Sequence, residues 1–136
     1  MVEKLCDDQD VILVLDDDEM VEEMVEEIVE RGGCLHISFN DPGEALQYYI
    51  ENSPKITLMI TDLTMPKLPG PDLIRRALQI NPKLPIILMT DYAEDHIPDD
   101  VRPLVHRVLP KPFMKTDVLD AVRSALDKID HQHPSA

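Results

Sequence analysis

The sequence predicts an α/β fold in which a doubly wound, five-stranded parallel sheet carries helices on both faces. Five short apolar runs rich in Val, Ile and Leu recur along the chain, and amphipathic helical patterns lie between them. The chain has 136 residues, which suits a single domain. Of the doubly wound strand orders, 2-1-3-4-5 fits five strands and places strands one and three side by side at the switch point.

The apolar runs are the predicted strands. Leu35–Phe39 alternates apolar and polar residues, which indicates a strand with one more exposed face, whereas the more continuous runs indicate buried strands. The five runs are Val11–Leu15, Leu35–Phe39, Ile56–Ile60, Pro85–Met89 and Val105–Leu109.

The first helix follows the first strand and is predicted to begin at an Asp18 cap and to end at Gly32-Gly33. Its glutamates face water, and an apolar stripe at helical spacing faces the core. That stripe consists of Met20, Val21, Met24, Val25, Ile28 and Val29.

Three more helices have start or stop signals. Asp41-Pro42-Gly43-Glu44 has a capping Asp, a first-position Pro and a Glu three residues after the cap. A further helix spans about Pro71 to Ile80, and the last begins at a Thr116 cap. Their predicted buried residues are Ala45, Leu46, Tyr49 and Ile50, then Leu73, Ile74, Ala77 and Leu78, then Val118, Leu119, Val122, Leu126 and Ile129.

The segment Asp91–Arg107 is irregular where a fourth helix would be expected. A helix spanning both Pro98 and Pro103 would lose backbone hydrogen bonds and clash at each proline. One or two short turns are therefore predicted there.

Composition limits the function classes. Thirteen Lys and Arg against 27 Asp and Glu give a net charge of −14, which disfavours direct nucleic-acid binding. The longest apolar run has five residues, far below the roughly 20 of a membrane helix. The N-terminus lacks a secretory pattern, and Cys6 and Cys34 match no metal spacing and are too few for a disulfide framework. A cytoplasmic domain over residues 10–130 is expected, with an N-terminal extension (1–9) and a frayed C-terminal tail (131–136).

Polar residues follow four of the predicted strands, at the sheet edge where ligands bind in such folds. Taken singly, each has an ordinary explanation as a cap, a turn residue or a surface charge. Together they bring carboxylates, one hydroxyl and one ammonium group to the same edge. They are Asp16, Asp17 and Asp18 after strand one, Asp62 after strand three, Thr90 at the end of strand four and Lys111 after strand five.

Carboxylates gathered at one edge repel each other unless a cation joins them. Oxygen ligands without a nearby His or Cys favour Mg²⁺ before Ca²⁺. A cation with an ammonium group and a hydroxyl can receive a phosphoryl group, and a carboxylate at the centre can be its nucleophile.

Four segments at these strand ends resemble those of response-regulator receiver domains, which have a flavodoxin-like, CheY-like three-layer fold. Ile12–Glu19 is similar to the acidic-pair strand, and Met59–Pro66 with Gly70 to the phosphoacceptor stretch. Ile87–Thr90 and Leu109–Phe113 are similar to the switch-threonine and lysine-proline elements. The resemblance covers about residues 10 to 129, with the motifs in the right order.

The resemblance implies a role for each matching residue. Asp62 would take a phosphoryl group from a histidine kinase or histidine phosphotransfer domain, in a two-component phosphorelay. Asp16, Asp17, Asp62 and the Thr64 backbone carbonyl would hold Mg²⁺ or Mn²⁺. Lys111 and Thr90 would stabilise the phosphoryl group, while Asp18 is expected to cap the first helix rather than bind metal.

Three departures from the family pattern affect signal output, and Thr64 and Tyr92 occupy positions that tune phosphoryl lifetime. Asp91 replaces the usual small residue after the switch threonine. Val108 stands where the signalling aromatic ring is usual, and the fourth helix is interrupted by proline.

The expected function is a phosphoacceptor that catalyses only its own phosphorylation and dephosphorylation, either free-standing or part of a hybrid histidine kinase. The segment from Lys111-Pro112-Phe113 through Leu126, together with the proline-broken fourth helix, resembles hybrid-kinase receivers more. One alternative is a small aspartyl-phosphate phosphatase or phosphotransferase, but its Asp-x-Asp pattern and cap domain are missing. Another is an interaction module without the chemistry.

Overall fold

The computed structural model describes residues 5–7, 9–63, 68–91 and 97–132. Beyond Asp127 it describes the backbone alone. Its centre is one parallel sheet in the order β2-β1-β3-β4-β5, which confirms the predicted fold class and strand order. β3 begins two residues later than predicted, so Asp62 is its last residue rather than the residue after it. The strands are β1 (Val11–Leu15), β2 (Leu35–Phe39), β3 (Leu58–Asp62), β4 (Ile86–Thr90) and β5 (Arg107–Pro110).

Four α-helices are described: α1 (Glu19–Arg31), α2 (Pro42–Asn52), α3 (Gly70–Ile80) and α4 (Lys115–Gln132). Asp18 and Asp41 cap α1 and α2 as predicted, accepting hydrogen bonds from the backbone N–H groups of Met20 and Glu44, each at 3.0 Å. The predicted Thr116 cap is wrong, because Thr116 lies inside α4. The carboxylate of Asp117 accepts a hydrogen bond from the Met114 N–H at 2.8 Å, which stabilises a helix start two residues earlier than a Thr116 cap would give.

Alternating strand residues build a core on each face of the sheet. Ile12 and Val14 of β1 pack with α1 and α4, whereas Leu13 and Leu15 pack with α2 and α3. The edge strand β2 is half-buried, as its alternating sequence predicted.

Two residues assigned to buried stripes are exposed. Met20 is 80% exposed and Ile50 is 51% exposed. Consecutive helical residues lie about 100° apart. Met20 lies about 100° around the helix from Val21, and Ile50 lies about 100° from the buried Tyr49. Neither side chain is therefore on the buried face of its helix.

The described residues of the connection from β4 to β5 form short turns and no α-helix, as the two prolines predicted. Pro98 accepts hydrogen bonds from the Val101 and Arg102 N–H groups, and one 3₁₀ turn follows at Arg102–Leu104. Ile97 and Val101 are buried against the α2–α3 core. The described part of this connection, residues 97–106, therefore packs on the α2–α3 side of the sheet.

Two features lie at the ends of the predicted domain. Cys6 forms a disulfide with Cys34, which joins the predicted N-terminal extension to the α1–β2 turn. α4 continues to Gln132, two residues into the predicted tail. Among the helices of the described chain, none combines the length and apolarity needed to cross a bilayer.

Candidate functional site

Strand register places the acidic residues side by side. Leu15 of β1 pairs with Thr61 of β3, so the next residues, Asp16 and Asp62, are neighbours at the carboxyl edge of the sheet. Both are nearly inaccessible, at 0% and 4% exposure, while Asp17 is exposed. Strands one and three are therefore neighbours, as predicted for the switch point, and the site lies where they end.

Lys111 lies between the two buried carboxylates. Its Nζ atom donates to Asp16 Oδ2 at 2.9 Å and lies 3.5 Å from Asp62 Oδ2. β4 positions it, because the Lys111 N–H donates to the carbonyl of Thr90 at 2.7 Å directly after the paired strands end. The peptide bond from Lys111 to Pro112 is cis.

Burial and pairing shift two pKa values at this site. Burial raises the pKa of Asp16, outweighing its hydrogen bonds from the Asp18 N–H and from Lys111. Burial alone would lower the pKa of Lys111, but the pKa is raised overall. The causes are the hydrogen bond and charge of Asp16 and the nearby charges of Asp62 and Asp91. Ionisation of the buried Asp16 therefore costs free energy. The ionised carboxylate in turn favours the protonated form of Lys111.

The three site aspartates fit a hard divalent cation. Asp16, Asp17 and Asp62 each offer a carboxylate oxygen, and these oxygens all lie within 4.8 Å of one another. This oxygen-only group includes two buried carboxylates with one ammonium group nearby, so negative charge is in excess. Mg²⁺ and Mn²⁺ suit that donor set. Asp18 instead caps α1, as predicted.

The remaining predicted residues surround this group. Thr90 is fully buried at the end of β4, one position beyond Met89, the strand partner of Asp62. Asp91 is exposed, and its charge acts on Lys111. Val108 is half-buried on β5, against the α2–α3 core.

Gly70, part of the resemblance to the phosphoacceptor stretch, lies tightly against the end of β3. A Cβ atom there would be 2.6 Å from the Asp62 carbonyl and 2.5 Å from the Leu63 carbonyl. The Gly70 N–H donates to that Leu63 carbonyl at 2.9 Å. Only glycine permits this approach of α3 to the strand end. Thr64 and Tyr92 lie outside the described residues.

Two features near this scaffold were not predicted. Arg75 on α3 donates two hydrogen bonds of 2.8 Å to the Asp100 carboxylate. These bonds link the connection between β4 and β5 to α3. The Cys6–Cys34 disulfide fastens the N-terminal segment. Neither has a local sequence motif.

Comparison with known sequences identifies the family. The model of the response regulator receiver domain matches residues 12–123. The chain is 31% identical over 116 residues to the response regulator receiver protein CpdR of Brucella abortus (strain 2308), covering 85% of this chain and 95% of that protein. It is 30% identical over 124 residues to the sensor kinase CckA of the same organism, which is 88% of this chain but 13% of the kinase.

Solved structures agree with these matches. A response regulator receiver domain protein from Clostridium thermocellum has a TM-score of 0.81 at 27% identity, covering 90% of this chain and 98% of that one. A CheY-like receiver protein from Methanospirillum hungatei JF-1 has a TM-score of 0.82 at 25% identity, with the same coverage. The similarity spans both the sheet and the strand ends that carry the site.

Proposed function

Because the chain belongs to the response regulator receiver family, we propose that Asp62 accepts a phosphoryl group from a phosphohistidine in a reaction that depends on Mg²⁺ or Mn²⁺. The donor is a sensor histidine kinase or a histidine phosphotransfer domain. One observation carries this proposal: Asp62 is a buried strand-end carboxylate beside Asp16, with the Lys111 ammonium group 3.5 Å from its Oδ2 atom.

In the proposed transfer, an Asp62 carboxylate oxygen attacks phosphorus, the phosphorus–oxygen bond forms and the bond to the histidine nitrogen breaks. The product is an acyl phosphate on Asp62, and the histidine nitrogen leaves with its electron pair. A carboxylate is a suitable nucleophile because positioning and electrostatics supply most of the rate in phosphoryl transfer.

Lys111, Thr90 and the three site aspartates orient that step. Lys111, already held by Asp16, directs its charge to Asp62 and then to a phosphoryl oxygen. The Thr90 hydroxyl, on the neighbouring strand end, donates to another phosphoryl oxygen. Asp16, Asp17 and Asp62 would hold the metal ion, which when bound offsets negative charge on the transferring group.

The domain's proposed role is that of a cytoplasmic signalling acceptor, not of an enzyme with an external substrate. It catalyses only its own phosphorylation and dephosphorylation. The curated relatives include a receiver protein matched over 95% of its length and a sensor kinase matched over 13%, so free-standing and kinase-attached receivers are both precedents. The hybrid-kinase assignment stays a proposal.

Intact mass tests the acceptor assignment. The chain is incubated with Mg²⁺ and phosphoramidate, a small donor with a phosphorus–nitrogen bond, and should gain roughly 80 Da, one phosphoryl group. Asp62→Asn should abolish the gain, and a chelator should suppress it in the parent chain. Asp99→Asn is the matched control, because it removes the same charge from an exposed position.

An undiminished mass gain in Asp62→Asn would overturn the assignment. The absence of any gain in the parent chain would favour an interaction module without the chemistry. Steady turnover of a phosphate ester would favour a phosphatase instead.

A further inference from the structure

The N-terminal segment around Leu5 and Cys6 lies against the end of α1, at the opposite edge of the sheet from the acidic site. The Leu5 N–H donates to the Gly32 carbonyl at 2.6 Å, and Cys6 is bonded to Cys34. The two cysteines are 28 positions apart, and β1 and α1 both lie between them. The disulfide therefore closes a loop that contains all of β1 and α1. Both cysteines are buried, at 2% and 5% exposure.

The non-covalent contacts of this segment come mainly from Leu5, which packs against the core between α1, α4 and the sheet. Leu5 is half-buried, and its side chain rests on Gly32, where a Cβ atom would come within 2.7 Å of Leu5 Cδ1. Asp7 and Asp10 hydrogen-bond each other in a local turn, which does not tie the segment to a helix. The disulfide adds a covalent cross-link to this packing, between residues 5–7 and the turn after α1.

Leu5 also forms one end of a groove between α1 and α4. This groove has a volume of about 330 Å³, and Ile28 and Leu119 supply its other apolar walls. Arg31, Lys115 and Arg123 line its rim. Gly32, on which the Leu5 side chain rests, lines the same groove.

We propose that the Cys6–Cys34 disulfide is a redox-controlled latch that holds Leu5 in place as one end of this groove and releases it when a dithiol reductant opens the bond. In a cytosol, protein disulfides are usually transient and redox-sensing rather than permanent. The latch rests on the disulfide and the groove, and it is independent of the phosphoryl chemistry proposed for Asp62.

The redox step is thiol–disulfide exchange. A thiolate of the reductant attacks one sulfur of the protein disulfide, forming a mixed disulfide and releasing the other cysteine as a thiolate, which takes up a proton. The second thiolate of the reductant then attacks the mixed disulfide and releases the remaining cysteine. Two electrons and two protons reach the protein, and the reductant becomes a cyclic disulfide.

Alkylation first tests whether the bond exists in the purified full chain. Without reductant, denatured protein should take up no iodoacetamide. After dithiothreitol, it should take up two carbamidomethyl groups, one for each of the chain's two cysteines. Uptake of both groups without reductant would overturn the proposal.

Amide hydrogen exchange then tests release. Reduction should speed exchange of the Leu5 amide by about tenfold or more, which corresponds to about 1.4 kcal/mol easier local opening. The Cys6→Ser/Cys34→Ser variant should exchange at the reduced rate with or without dithiothreitol. Equal Leu5 exchange in the oxidised and reduced parent chain would overturn the latch. So would loss of the far-UV helical signal on reduction, since the bond would then be a structural staple.

A third measurement does not depend on replacing cysteine. Leu5→Ala weakens the packing on Gly32 and should make reduction by dithiothreitol several-fold faster, because the buried sulfurs become accessible when the segment opens. Met20→Ala, at an exposed position of α1, is the matched control and should reduce at the parent rate. An unchanged rate in Leu5→Ala would contradict a latch that opens through Leu5.

Discussion

The Lys111 ammonium group donates a hydrogen bond of 2.9 Å to the fully buried Asp16 carboxylate. Asp62, the proposed acceptor, is the more distant partner of the same ammonium group, at 3.5 Å. Lys111 is therefore anchored by one carboxylate while it remains close to the other. That arrangement can deliver charge to a group arriving on Asp62 without first breaking the Asp16 bond.

Lys111→Met should lower the free energy of unfolding of the metal-free chain by about 3 kcal/mol, because it leaves a buried carboxylate without its cation. Lys115→Met is the matched control. Lys115 is 58% exposed and 3.9 Å from Glu27, so its loss should change stability by about 1 kcal/mol or less. Urea unfolding in a chelator measures both.

Adding Mg²⁺ should raise the free energy of unfolding of Lys111→Met more than that of the parent chain, since the variant's site has lost the ammonium group of Lys111. Equal losses of stability in the Lys111 and Lys115 variants would show that the buried pair contributes no more than a surface pair.

The divided roles of Asp17 and Asp18 give a charge-matched test. Asp17 belongs to the group of three carboxylates, whereas Asp18 Oδ1 accepts a hydrogen bond from the Met20 N–H. Each residue is replaced by Asn, which removes one negative charge but can still cap a helix. Asp17→Asn should weaken Mg²⁺ binding by about tenfold or more, or about 1.4 kcal/mol. Asp18→Asn should weaken it roughly twofold, through screened charge alone. Calorimetric titration giving equal losses would contradict this division.

Local sequence rules predicted much of this site. The strand run Val11–Leu15 and the acids after it were sufficient to locate the edge where the three carboxylates meet, because parallel strands bring their carboxyl ends together. The Asp41-Pro42 helix start was equally local. In contrast, a helical stripe specifies a face only approximately, and Met20 lies just outside it.

Long-range pairs were beyond such rules. Arg75 and Asp100 are 25 residues apart, and each resembles an ordinary surface charge until the fold brings them together. Cys6 and Cys34 likewise match no short motif. Their pairing depends on where the chain before β1 lies relative to the turn after α1, which neither periodicity nor capping specifies.

The raised pKa of Asp16 gives the metal-free chain a definite pH dependence. Between the ordinary value of 3.8 and the raised folded-state value, the native state binds more protons than the unfolded state. The resulting stability is complete below the ordinary value and is lost as pH rises through the folded-state pKa. Asp16→Asn should therefore lose less stability than the parent between roughly pH 4 and 7.

Chemical denaturation across that range, in a chelator, measures the effect. Asp99→Asn removes an exposed carboxylate and is the control. Parallel pH profiles for the parent chain and Asp16→Asn would mean that burial does not control the titration of Asp16.

Signal output is predicted to stay near the phosphoryl site. Val108 has no aromatic ring to turn inward, and it packs against the α2–α3 core. The connection between β4 and β5 is fastened by the two Arg75–Asp100 hydrogen bonds and by the burial of Ile97 and Val101. Asp91 adds a negative charge that repels a phosphoryl group by on the order of 1 kcal/mol or less.

Beryllofluoride, a phosphoryl mimic, should therefore perturb amide chemical shifts around Asp62 and Thr90 and leave β5 and α4 nearly unchanged. Asp100→Asn weakens the fastening to Arg75 by removing its charge, and in that variant the perturbation should spread into residues 97–104. Asp99→Asn, the neighbouring exposed acid, should behave as the parent does. Large shift changes across β5 and α4 in the parent chain, or mimic-induced dimerisation through that face, would show that a conventional switch operates without its aromatic residue.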